Sequence, residues 1–231
     1  MAELTRATPA DLSHDPVALA PRLLGGVFRV ADVAVRLTEV EAYCGLADPG
    51  SHAYRRITPR TRVMAGEPGH IYVYFSYGMH HAVNIVAHEA GDVGAILLRA
   101  GEIVEGIEVA RARRIELRLA RKSRPSRASQ PARASRAAST SGPLIPDAQL
   151  ARGPGNLAAA LGLTRADDGA PLSERYELWL PTQPPGAYVT TGRTGVAGPG
   201  GEAERYPWRF ALSGDPTVSA YHPAARRTPR Q

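Results

Sequence analysis

The sequence predicts an α+β fold in one domain, and three observations carry that prediction. A chain of 231 residues with 43% hydrophobic content buries one large core more readily than two small ones. Short strand-like stretches and a few helical stretches follow one another without the strand–helix–strand rhythm of a doubly wound sheet. An aromatic-rich apolar segment and a second apolar one flank Tyr77-Gly78, which is the spacing of a β-hairpin.

The elements follow in chain order. Residues 17–25 read as a short helix stopped by Gly25, and strands are expected at 26–30 and 33–43 about a turn at Ala31-Asp32. Residues 44–69 carry four glycines and three prolines, so they predict a long ordered loop, a kind of segment that is uncommon without a function. Strands at 70–77 and 80–87 make the hairpin, and 93–100 reads as a buried strand. Residues 103–121 predict a helix with Ile103, Ile107, Ala110 and Ala112 on its apolar side. From about 122 to 147 a Ser/Arg/Ala/Pro/Gln mixture without periodicity predicts a disordered basic insertion. A short helix is expected between Gly153 and Gly162, then strands at 176–180, 187–191 and 206–212. The single domain is expected to end at 221, and 222–231 to form a loose tail.

Composition narrows the function classes. The net charge of +6 is unevenly distributed: residues 111–136 hold nine arginines and Lys122 against Glu116 alone, a local +9. The rest of the chain has 18 basic and 21 acidic residues, a net of −3. Lys122 is the only lysine and lies among arginines, which argues against covalent imine chemistry, since that needs a desolvated neutral amine. A single cysteine, Cys44, excludes an internal disulfide framework and a cysteine-rich zinc site. No apolar run approaches the roughly 20 residues of a membrane span, and the N-terminus lacks a secretory pattern. A cytoplasmic protein is expected.

Chemistry concentrates in two stretches. Four of the fourteen aromatic residues fall within 72–77. Upstream, strand alternation puts Leu37, Glu39, Glu41 and Tyr43 on one face, the two carboxylates about 7 Å apart. Such a pair fits either a solvated strand face or the acid and base of a glycoside hydrolase. Aromatic faces beside a carboxylate suit a pocket that stacks a flat, electron-poor ring, which points toward a nucleobase. His52, His80 and His81 lack metal-ligand spacing, so no metal and no cofactor are expected.

Thr38-Glu39-Val40-Glu41-Ala42-Tyr43-Cys44-Gly45, with Asp48, Ser51-His52-Ala53 and Thr58-Pro59-Arg60, resembles the opening block of the alkyladenine (3-methyladenine) DNA glycosylase family. Residues 68–81 with Asn84 resemble its central block. Leu97-Leu98-Arg99-Ala100, Glu105-Gly106, Gly153-Pro154-Gly155 with Leu157, and Arg193-Thr194-Gly195-Val196 continue the likeness in order over roughly 17–220.

The resemblance implies a mixed, curved sheet with a protruding hairpin and peripheral helices, similar to the formyltransferase C-terminal-domain-like fold. It also implies a monomeric, monofunctional enzyme that binds damaged double-stranded DNA, near the nucleoid of a bacterium. Such an enzyme hydrolyses the N-glycosidic bond of alkylated purines. Glu41 matches the base that activates water, Arg99 a residue that helps hold that water, and the backbone carbonyl near Thr194 its third anchor. Tyr43, His52 and Tyr74 match the walls around the flipped base, and Asn84 the amide that rejects guanine. Tyr77, with Met79 beside it, matches the wedge inserted into DNA.

The chain departs from the family pattern at 56, 57 and 61, at Ala65, and at Asn156, where lysine is frequent. Two other readings compete. One is a non-catalytic nucleic-acid-binding protein on the same fold with the basic tract as an electrostatic arm. The other is an unrelated small-molecule hydrolase or transferase.

Overall fold

The computed structural model describes residues 3–76, 79–122 and 144–223. Ten strands join one sheet: β1 (Leu4–Arg6), β2 (Val27–Val30), β3 (Val33–Tyr43), β4 (Ile71–Ser76), β5 (His80–Val86), β6 (Ala95–Glu105), β7 (Ala151–Arg152), β8 (Tyr176–Pro181), β9 (Tyr188–Thr191) and β10 (Arg209–Leu212). The order is β1-β8-β2-β3-β6-β5-β4, with β10 added to β3, β9 to β10 and β7 to β6. Every described pair is antiparallel, so the sheet is antiparallel where a mixed one was expected. Parallel neighbours need a crossover connection. Here the helical stretch after β6 leads to β7, which turns back to pair antiparallel with β6 itself.

Among the described residues four α-helices accompany the sheet: α1 (Pro9–Leu12), α2 (Pro16–Leu19), α3 (Ile107–Lys122) and α4 (Pro154–Leu161). The helix expected at 17–25 is split into α2 and a 3-10 turn over Ala20–Leu23. β6 runs to Glu105 instead of ending near 100, so Ile103 belongs to a strand and not to the helix. Gly106, at φ 71°, separates the two elements. Ala112 is exposed, while Ala110 and Arg114 are buried. α4 ends on Gly162 in the left-handed region, whose amide returns to Ala158 and Ala159, the usual glycine cap. No described helix is long and apolar enough to cross a membrane.

Of the stretch 122–147, only its ends are described. Lys122 closes α3, Ile145 is buried in the main core, and Asp147–Gln149 form a 3-10 turn. Residues 123–143 and the tail from 224 lie outside the described residues. Part of the basic run serves the fold itself. Arg111 bonds Asp147 and the Ile145 carbonyl, and Arg113 the Ala160 carbonyl.

The main core joins β2, β3, β6 and β8 to the helices through Phe28, Leu37, Val40, Leu98, Leu157 and Leu178. A smaller cluster of Ala53, Met64, Tyr72, Val86, Val93 and Ala95 lies beneath the long loop. That loop buries apolar side chains of its own, which explains why a stretch without strands or α-helix stays ordered.

β3 is the strand on which the site depends. Val33–Arg36 pair with β2, whereas Glu39–Glu41 pair with β10 on the same side. The change of partner coincides with register irregularities about Leu37, Glu39 and Val40. A bulge shifts the side-chain alternation by one residue. Leu37 therefore packs into the core with Val40 and Ala42, and only Glu39, Glu41 and Tyr43 keep the shared face that simple alternation had extended to Leu37.

Candidate active site

Glu39 and Glu41 are both fully buried, and each exists in a ring of donors. Glu39 accepts from Arg99 Nε (2.6 Å), Arg209 Nε (2.8 Å), the Ser219 amide (2.7 Å) and the Ser219 hydroxyl (2.9 Å). Burial pushes its carboxyl upward, but Arg99 and then Arg209 prevail and hold it below its ordinary value. Arg99 spans both acids, its Nη1 lying 3.2 Å from Glu41 Oε1. Burial works against the charge on Arg99, yet Glu41 and Glu39 keep the guanidinium protonated.

Glu41 Oε1 also accepts from the Thr194 amide at 2.7 Å, and Oε2 from the Tyr43 hydroxyl at 2.8 Å. Three donors thus converge on this one carboxylate. Burial first, and Glu41 second, raise Tyr43 well above the usual phenol range, so Tyr43 remains a donor. The Thr194 contact runs through its N–H, where the sequence had suggested a carbonyl anchor for water.

These residues back onto a cavity of about 710 Å³. Tyr43, His52, Tyr74, Asn84, Arg99 and Thr194 line it, together with Tyr72, Arg60 and the start of α4. Of the predicted catalytic and pocket residues, Glu41 alone is not on the wall. It lies directly behind three residues that are: Tyr43, Arg99 and Thr194.

On the opposite wall, His52 meets Tyr74 edge to face, with centroids 4.5 Å apart. His52 Nδ1 lies 3.1 Å from the Tyr72 hydroxyl. Burial, then Arg60, lower His52 to about 4, so a neutral imidazole faces the cavity at neutral pH. The Asn84 amide nitrogen donates to the Tyr72 carbonyl at 3.0 Å, which fixes the amide at the cavity wall. Arg60 lies over the Tyr74 ring, 5.6 Å from its centroid.

Tyr72 was not among the pocket residues that the family resemblance implied. Its burial and its bond to His52 make it the support of that wall. The signal was present in the register, since Tyr72 pairs with Asn84 across the hairpin. Arg60 was legible only as part of a motif.

Met79 is 59% exposed and lies away from this cavity, beside a second groove shared with Phe75 and α3. Tyr77, the predicted wedge, falls outside the described residues. Among the described residues no three His, Cys, Asp or Glu side chains gather into a group able to hold a metal. Burial, then Asp15, push the Cys44 thiol up to about 12, which leaves it unreactive at neutral pH.

The arrangement couples a carboxylate to a cavity walled by neutral aromatic rings. Such walls stack a planar ring and favour a cationic one. The carboxylate can take a proton from water or stabilise a developing positive charge.

Comparison with known proteins agrees with this chemistry. The sequence profile described as methylpurine-DNA glycosylase matches residues 10–216. A protein of Leifsonia xyli subsp. xyli is 46% identical over 215 residues, covering 90% of this chain and 89% of the relative. One from Streptomyces avermitilis is 44% identical, covering 91% and 90%, and one from Nocardia farcinica 43%, covering 95% and 92%. All three carry the name "Putative 3-methyladenine DNA glycosylase". With a profile match over most of its length and relatives of this identity, the chain belongs to the methylpurine-DNA glycosylase family.

Proposed function

We propose that this protein is a monofunctional DNA glycosylase that releases alkylated purines, 3-methyladenine and 7-methylguanine, from double-stranded DNA. The observation that carries the reading is Glu41 held behind a cavity of about 710 Å³ by Tyr43, Arg99 and Thr194. An enzyme acting on a base first takes it out of the duplex. The lesion would stack against Tyr43, His52 and Tyr74, with Asn84 excluding the exocyclic amino group of guanine. Tyr77 and Met79 would fill the gap left in the helix.

Water then attacks the anomeric carbon while the N-glycosidic bond breaks. The bonding pair leaves with the purine, whose positive charge it neutralises, and Glu41 takes the proton from water. Oε2 is occupied by the Tyr43 hydroxyl in the free protein, so that hydroxyl must give way before water can use this oxygen. Arg99 pairs with Glu41, and its charge is balanced in turn by Glu39. The neutral state of His52 supports the choice of cationic substrates, because an imidazolium would repel them.

The test is release of free 3-methyladenine from methylated duplex DNA without strand cleavage, compared with Glu41→Gln. The variant is expected to bind the lesion and to release nothing. Full activity in that variant removes Glu41 from its role. Lesion binding by the parent protein without any base release would favour the non-catalytic DNA-binding reading.

A further inference from the structure

Beside the cavity sits a second buried ion pair that the reaction as described does not use. Arg193 is fully buried and forks onto both oxygens of Asp48, at 2.5 and 2.6 Å. It also donates to the Ala42 carbonyl (3.0 Å) and the Gly200 carbonyl (2.8 Å). Three aromatic rings surround its guanidinium: Tyr43 at 4.6 Å, Trp208 at 5.0 Å and Tyr206 at 5.6 Å. The backbone is shaped to receive it. A Cβ on Gly50 would fall 2.3 Å from Arg193 Nη2, and one on Gly200 would fall 2.3 Å from the Gly50 amide.

Resting on the reading of Glu41 given above, we propose that the Arg193–Asp48 pair is a positioning element of the reaction, fixing the Tyr43 ring and the Thr194 amide about Glu41. Three segments meet at Arg193: the end of β3, the loop at 48–50 and the stretch 193–200. Each contributes to the cavity wall. Arg193 immediately precedes Thr194, whose amide bonds Glu41, and it covers one face of Tyr43, whose hydroxyl bonds the other oxygen of Glu41.

Stability alone gives a weaker account. A buried ion pair is often no better for folding than apolar side chains of the same volume. Arg193 Nε is left without a hydrogen-bond partner among the described residues. What the pair achieves is direction: a rigid guanidinium fork holds several atoms at fixed angles.

The test uses Asp48→Asn and Arg193→Lys in the full chain. Each is compared with the parent for single-turnover release of 3-methyladenine, for affinity toward a duplex carrying an abasic-site analogue, and for hydrogen exchange of the Thr194 amide. Misplacement on the ångström scale costs roughly 10²-fold in rate. We expect a loss of that order, with affinity changed by no more than about threefold and faster Thr194 exchange, while β2 and β8 amides keep their protection.

Rates equal to the parent, or unchanged Thr194 exchange, overturn the proposal. So does a rate loss fully matched by loss of affinity. Should neither variant fold, Trp208→Leu decides, because it opens one face of the cage at a half-buried position; an unaltered rate and Thr194 exchange there also overturn it. A parent protein that releases no base would sink the proposed function, while the exchange measurement would still report whether the pair sets the geometry around Glu41.

Discussion

Glu39→Gln probes the charge balance behind the cavity. The carboxylate neutralises Arg99 and Arg209, which are 5% and 2% exposed, and it accepts four hydrogen bonds. Glutamine keeps the volume but removes the charge, and its amide group confronts donors with a donor. Breaking a buried pair by neutralising one partner costs about 3–5 kcal/mol. At roughly 2–4 °C per kcal/mol for a domain of this size, Tm should fall by about 6–20 °C.

The pH dependence has a fixed sign. Because the folded carboxyl lies below its ordinary value near 4.5, its contribution is complete above that value and disappears as pH falls through the folded pKa. Urea unfolding followed by circular dichroism should therefore show the full gap between parent and variant at pH 7, and a shrinking gap below pH 4.5. A difference under about 0.5 kcal/mol at pH 7, or a gap that widens in acid, would contradict the role given to Glu39.

Three further outcomes are expected. An NMR titration of the His52 ring should give a midpoint of about 4, and Arg60→Ala should raise it; a midpoint near 6.5 in the parent would be inconsistent with the buried, neutral ring. Since the unfolded histidine takes its proton first, His52 should lower stability as pH drops from 6.5 toward 4 and have no effect above that window. Tyr72→Phe removes the hydroxyl beside His52 Nδ1, a loss of about 1 kcal/mol; affinity for a lesion-bearing duplex should weaken roughly fivefold, and equal affinity would show that His52 needs no such support. Gly106→Ala forces a side chain onto φ 71° with its Cβ 2.1 Å from the Asp32 carbonyl; urea titration should show a loss of about 1–3 kcal/mol.

The local parts of this structure were legible in the sequence, and the non-local parts were not. Alternation and turn residues located β2, β3, β4, β5 and β8 within a residue or two, and Gly162 marked the end of α4. β1 escaped because three residues carry no periodic signal, and its partner β8 lies more than 170 residues away. The extension of β6 was hidden by Ile103, which satisfies a helical spacing and a strand equally well. The bulge near Leu37 left no mark in the sequence, because it lies in the pairing of β3 with β6, a strand distant along the chain.

At the site, motif likeness brought out the cavity walls and Glu41. It did not reveal that Glu41 sits behind those walls. Nor did it reveal that Glu39 answers to Arg209 and Ser219, or that Arg193 is enclosed by three rings. Each of those contacts joins positions well over a hundred residues apart or depends on a fold already formed. Charge content alone says nothing of where such pairs meet.

Three of the residues that donate to Glu39 and Glu41 come late in the chain: Thr194, Arg209 and Ser219 follow their acceptors by 153, 170 and 180 residues. During synthesis the N-terminal part emerges first, so β3 must wait for nearly the whole polypeptide before its acids are satisfied. A nascent or clipped chain ending before 193 would hold two carboxylates it could neither bury comfortably nor use. The hydrogen-bonded surroundings of Glu39 and Glu41 and the completed fold therefore arise together.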